Sequence, residues 1–183
     1  MKLIKLLLPA IMASIIVCPA AVVQAKPVIC SFDIEDPSEI KRTVALSKMG
    51  IKIEIPANYR AIAKADGSID FTDNGTYQLF DCLSKNPGAL GGRGYPGITV
   101  YKSKNNYLYS NVQDMVTGMS NFFIVWEKKQ VNNTTFHNLK LRIKTKKGII
   151  EVEQIDEEPI ENEQQANELR TRLIQIASTI DIL

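Results

Sequence analysis

The stretch GALGGRGYPGITVY, residues 88–101, combines backbone amides and a cation in a way that suits an anion. Gly91, Gly92, Arg93 and Gly94 have the composition of an anion-binding nest, in which successive N–H groups and a guanidinium converge on a phosphate or carboxylate. Gly92 to Gly97 also matches G-x-G-x-x-G, but a dinucleotide site needs a strand before the first glycine and a helix after the last. Here SKNPGAL precedes and the strand-like ITVY follows, so the dinucleotide reading fails on context. A plain connection with a Pro96-Gly97 turn accounts for the same residues more simply.

Two acidic stretches raise calcium. In DFTDNGTYQLFD, residues 70–81, Asp70, Thr72, Asn74, Gly75 and Asp81 fall where an EF-hand loop has its first, third, fifth, sixth and twelfth positions. The flanking patterns are strand-like rather than helical, so a D-N-G turn joining two strands is the preferred explanation. Asp156, Glu157 and Glu158, with Glu161 and Glu163, form the densest acidic cluster and a second candidate calcium site. Carboxylates before and within the first turn of a helix also complement its dipole. Lys140, Arg142 and Lys144 face Glu151 and Glu153 across a hairpin. These residues are expected to form cross-strand pairs on a solvated face.

Hydrolytic machinery is sparse. His137 is the only histidine, G-x-S-x-G is absent, and the S-x-x-K formed by Ser38 and Lys41 lacks K-T-G or S-D-N companions. Paired carboxylates leave no local motif, and no pair stands out. The expectation is a protein without catalytic residues, cofactor or assigned metal.

The first 25 residues, MKLIKLLLPAIMASIIVCPAAVVQA, place these groups outside the cytoplasm. Lys2 and Lys5 make a basic n-region, Leu6 to Val17 an apolar h-region, and Val23-Gln24-Ala25 a small-residue cleavage site, so residues 1–25 read as a cleaved signal peptide. A retained anchor is the competing reading, interrupted by Pro9 and Pro19; lipidation at Cys18 is a third, without the usual small residue before it. The whole chain carries 22 Lys and Arg against 20 Asp and Glu, and losing Lys2 and Lys5 leaves 20 against 20. A neutral mature chain argues against nucleic acid as a partner, and no later stretch is apolar enough for a transmembrane anchor. After cleavage only Cys30 and Cys82 remain, an even count that predicts one disulfide in an oxidising compartment. A redox pair is the alternative, but there is no C-x-x-C.

The elements that would position these residues follow from periodicity. DPSEIKRTVALSKMG reads as a helix capped by Asp36 with Pro37 in its first turn and Gly50 beyond its end, although Thr43 to Leu46 also suits a strand. The helix is the slightly favoured reading. Ile51, Ile53 and Ile55 alternate with Lys52 and Glu54 in a half-buried strand that ends at Pro56. Residues 59–63, 68–71, 76–83 and 98–101 predict further short strands. Val112, Met115, Val116 and Met119, with a Ser110/Gln113 capping box, predict an amphipathic helix. FFIVW, residues 122–126, predicts a central strand buried on both faces. A hairpin turning at Lys146-Lys147-Gly148 and a C-terminal helix with Ala166, Leu169, Leu173, Ile176 and Ile180 on one stripe complete the pattern. The fold class is α+β: one domain with an antiparallel sheet, an internal helix and a C-terminal helix packed on it. Residues 26–49 form an N-terminal segment and 50–183 the domain.

GIKIEIPANYRAI, followed by a hairpin, a middle helix, a late hairpin and a last helix ending in ASTIDIL, resembles the PsbP-like lumenal and periplasmic proteins in order of elements over residues 50–183. The resemblance implies a sheet sandwiched by helices and a non-catalytic accessory or assembly role at a membrane complex. It carries over no functional residue, and Cys30, Cys82 and the glycine-rich loop depart from it. The function expected is an exported binding or accessory protein with a protein partner in the cell envelope, in periplasm, extracellular medium or photosynthetic lumen. The alternative is an envelope enzyme or a small-ligand or anion receptor using loop 88–97.

Overall fold

The computed structural model describes residues 26, 28–92, 97–104, 113–116, 119–131, 134–154, 160 and 162–183. Its elements are β1 (Ile29–Cys30), β2 (Lys41–Leu46), β3 (Ile51–Pro56), β4 (Tyr59–Ala63), β5 (Ile69–Asp73), α1 (Asn74–Lys85), β6 (Leu90–Gly91) and β7 (Ile98–Lys102). They continue with β8 (Gln113–Met115), β9 (Phe122–Val131), β10 (Thr134–Thr145), β11 (Gly148–Gln154), α2 (Glu163–Ala177) and β12 (Ile180–Ile182). The chain is α+β, as its periodicity predicts.

A seven-stranded antiparallel sheet runs β4-β5-β7-β11-β10-β9-β8. Its register aligns Ile69, Val100, Val152, Leu141 and Ile124 in one row across five strands. This apolar face shares a core with a three-stranded sheet, β12-β3-β2, whose Ile51, Ile53 and Ile55 are fully buried. α2 packs on β9 and β10 and buries Ala166, Leu169, Leu173 and Ala177. A small parallel pair, β1-β6, lies apart from both sheets.

Four expectations need correction. The segment through residues 38–48 holds strand β2, paired from Lys41↔Pro56 to Leu46↔Ile51, instead of a helix. Its β-branched Thr43 and Val44 suit that pairing. Gly50, with φ of +76°, closes the hairpin where it would also have ended a helix, so the same residue type served both readings. Thr76 to Leu83 lies in α1 rather than a strand, because Asp73 accepts from the Thr76 N–H at 3.0 Å and caps the helix. The Asn74-Gly75 pair therefore opens a helix.

The helix expected around Val112 to Met119 is absent from its described residues: Gln113–Met115 is strand β8, paired with Phe123–Val125. Beyond β8, the Val116 N–H donates to the Phe122 carbonyl and the Phe122 N–H to the Met119 carbonyl. Pairing gives the doubly buried Phe122–Val125 run the second neighbour that it requires. Ser110 and Val112 lie outside the described residues, and the internal helix of the fold is α1. Finally, α2 stops at Ala177, and Ile180 and Ile182 form β12 opposite Ile53 and Ile51.

Candidate functional site

The residues expected to bind an anion are explained in part by packing. Gly91 pairs with Cys30 across β1-β6. A Cβ on Gly91 would lie 2.8 Å from Leu83 Cδ2 and 3.2 Å from Leu79 Cδ1, so glycine there admits α1 against β6. Gly92 faces open space. Arg93 and Gly94 lie outside the described residues, as do Asp156, Glu157 and Glu158 of the acidic cluster. Glu163 does stand in the first turn of α2.

The calcium-like spacing of residues 70–81 is divided between a strand and a helix. Asp70 on β5 pairs with Lys64 at 2.6 Å and accepts from Thr99 Oγ1 at 2.8 Å, whereas Asp81 on α1 pairs with Lys85 at 2.6 Å. Among the described residues, no group of three or more His, Cys, Asp or Glu residues is placed to hold a metal ion. Ser38 precedes β2, where its N–H donates to Asn58 Oδ1 at 2.9 Å; Lys41 opens the strand, so this pair stands on no helix. His137 lies within β10, in register with Lys128.

The structure changes the reading of the late hairpin. Arg142↔Glu151 is the expected cross-strand pair, with Nε and Oε1 2.8 Å apart, but the face is buried rather than solvated. Arg142 is 1% exposed, Glu151 4% and Lys140 8%, while Lys144 remains exposed. The register extends this polar face along two rows: Tyr101, Glu151, Arg142 and Phe123 in one, Asp70, Thr99 and Glu153 in the next.

Lys140 joins the two rows. It pairs with Glu153, lies 3.6 Å from Glu151 and donates to the Tyr101 hydroxyl at 2.8 Å. Its ammonium is 5.5 Å from the Tyr101 ring centroid. With the hydroxyl so close, that distance fits an approach past the oxygen along the ring plane, so the contact is a hydrogen bond more than a cation–π contact. Tyr101 in turn donates to Glu153, and Ser103 Oγ donates to Glu151 at 2.8 Å.

Burial, then hydrogen bonding and the charges of Glu153 and Glu151, push the Tyr101 hydroxyl far above the tyrosine range. Burial alone would raise Glu151, but hydrogen bonds from Tyr101 and Ser103 and the charges of Lys140 and Arg142 outweigh it and hold the carboxyl below its usual range. Near neutrality Tyr101 therefore keeps its proton and Glu151 its charge. In this arrangement the Tyr101 hydroxyl is a hydrogen-bond donor and the Glu151 carboxylate an acceptor. Tyr101 and Ser103 were not apparent as partners of this hairpin from sequence; the alternation of Thr99 and Tyr101 with Ile98 and Val100 is the signal that places Tyr101 on the polar face.

A second feature lies around the disulfide. Cys30 and Cys82 are bonded, S–S 2.03 Å, as their count predicts. The bond fastens the segment 28–40, here called the strap, to α1. Further along, Asp33 O lies so close to Gly75 that a Cβ there would sit 1.7 Å away. Glu35 N–H donates to Asp73 Oδ1 at 3.2 Å, and the Glu35 carboxylate accepts from Asn58 and Asn74. Leu90 N–H donates to Val28 O at 2.9 Å.

Along this flank apolar side chains face solvent. Ten large hydrophobic residues are exposed among the described residues, and eight belong to the strap, β6 or α1: Val28, Ile29, Phe32, Ile34, Ile40, Leu90, Tyr77 and Phe80. Single exposed apolar residues are ordinary, whereas six of these, Val28, Ile29, Phe32, Ile34, Ile40 and Leu90, are concentrated on the strap and β6. The sequence carried its signal in the apolar Val28, Phe32 and Ile34 of VICSFDIE.

Among the described residues, no helix is long and apolar enough to cross a membrane. Compared with known proteins, the chain matches no family model and no curated protein.

Proposed function

We propose that this protein is an exported, non-catalytic binding protein of the cell envelope, an accessory or assembly factor that docks a protein partner on the disulfide-fastened flank. The observation that carries the reading is the gathering of exposed apolar residues on the strap, β6 and α1. The leader-like residues 1–25 and the Cys30–Cys82 bond support an oxidising compartment. The fixed protonation of Tyr101 and Glu151 favours a structural duty for the buried polar face. The sequence resemblance to PsbP-like proteins, without the middle helix expected at residues 112–119 among the described residues, is what suggests a membrane complex.

The test is affinity purification of the tagged, disulfide-bonded protein from its own envelope, beside an Ile29→Thr/Leu90→Thr variant, whose uncharged β-branched side chains keep the β1-β6 pairing. Both positions are more than half exposed, at 73% and 60%, so the variant is expected to fold with an unchanged melting temperature. A stoichiometric partner should accompany the wild type and be lost from the variant. Isolation of the wild type alone, or retention of the same partner by the variant, would overturn the reading.

A further inference from the structure

The geometry points to a definite kind of partner: an extended polypeptide with alternating apolar and basic side chains that adds to the strap along Ser31 to Ile34. The inference rests on the docking role proposed above and names the chemistry of the occupant.

Three observations carry it. Among the described residues, no hydrogen bond engages the backbone of residues 31–34, although both ends of that run are fastened, one by Cys30–Cys82 and the other by Glu35 to Asp73. The Asp33 carbonyl is packed against Gly75 of α1, which leaves the backbone groups of Phe32 and Ile34 as the template for strand addition, and pinning the run beforehand removes part of the ordering cost of binding. Phe32 and Ile34, two residues apart and 41% and 53% exposed, offer the apolar contacts that fix such a strand.

The charge pattern selects the occupant. Between Val28 and Ile40 the sequence has Asp33, Glu35, Asp36 and Glu39 and no Lys or Arg. A second copy of the strap would bring acid against acid, which cross-strand pairing disfavours. Anionic headgroups would be repelled in the same way. A basic, apolar strand meets both requirements of the surface.

The experiment uses the disulfide-bonded protein and two fluorescent peptides of equal length, one alternating valine and lysine, the other valine and glutamate. Anisotropy titrations should show saturable binding of the lysine peptide alone, weakened several-fold by high salt and at least tenfold by Ile34→Lys. Amide exchange should slow at residues 31–35 on binding. Equal affinity for both peptides, unchanged binding by the Ile34→Lys variant, or protection elsewhere would overturn the inference. So would binding to phosphatidylglycerol vesicles in place of the peptide. If the lysine peptide fails to bind but the envelope partner still separates wild type from the Ile29/Leu90 variant, strand addition falls and the accessory role stands; if both assays fail, so do both ideas.

Discussion

Arg142 illustrates what alternation can and cannot say about a residue. The pattern of Lys140, Arg142 and Lys144 against Leu139, Leu141 and Ile143 correctly assigns each side chain to a face, and the register pairs Arg142 with Glu151. Alternation does not say what covers a face, and here the centre of the polar face is buried, with Arg142 at 1% exposure beside Leu141 at 0%. Such pairs cost much to break singly because the remaining charge stays buried. Arg142→Ala is therefore expected to destabilise the protein by about 3 kcal/mol or more, against less than about 0.5 kcal/mol for Lys144→Ala on the exposed end of the same strand. Urea unfolding of both variants decides it, and equal midpoints would show the buried pair to be dispensable. The same site gives a pH dependence. Glu151 is held below the ordinary glutamate value of 4.5, so its contribution is present above that value and is lost as pH falls through the lowered one. Replacing it by glutamine should flatten the acid limb of the stability profile.

At the scale of elements, patterns with a single structural solution were legible and ambiguous ones were not. FFIVW and the hairpin at Lys146-Lys147-Gly148 formed the expected strands, and α2 buries four residues on one stripe. Thr76 to Leu83 misled because its aromatic and β-branched residues favour strands, whereas the deciding group, the Asp73 carboxylate, lies outside the run and acts as a cap. The apolar spacing of residues 112–119 misled for the opposite reason. A helix of that length is marginal by itself, and the edge of β9 offered Gln113–Met115 a ladder. Asp73 also holds Glu35 of the strap, and its carboxyl is lowered despite burial by hydrogen bonds from Thr76 and the Glu35 N–H. Asp73→Ala should thus cost about 1 to 2 kcal/mol for the lost cap and speed amide exchange in both α1 and the strap. Asp73→Asn, which can still accept, should lose less. Faster exchange confined to α1 would mean that the cap does not couple the two elements.

For the whole molecule, the question is how the strap belongs to the fold. The two larger sheets share one core and need no disulfide to meet, whereas β1 contributes only Ile29 and Cys30 to a ladder. The Cys30–Cys82 bond spans a sequence separation of 52, and closing such a loop restricts the unfolded chain by about 4 kcal/mol in the chain-entropy model. That figure assumes a native state unchanged by reduction. With β1 two residues long and Ile29 73% exposed, the reduced strap should fray in the native state and regain entropy there as well. The double Cys30→Ser/Cys82→Ser variant should therefore melt roughly 5 °C lower, about half the fall that 4 kcal/mol would produce, and should do so in one cooperative transition. Limited proteolysis should cut it first near residues 28–34 while the remainder of the chain stays resistant. A full fall of about 10 °C with no early cleavage there would instead make the strap an integral part of the folded unit. The same cleavage ties stability to recognition, because a frayed strap no longer presents pinned backbone at residues 31–34. The serine variant is then expected to lose affinity for the valine–lysine peptide while its two-sheet core stays folded.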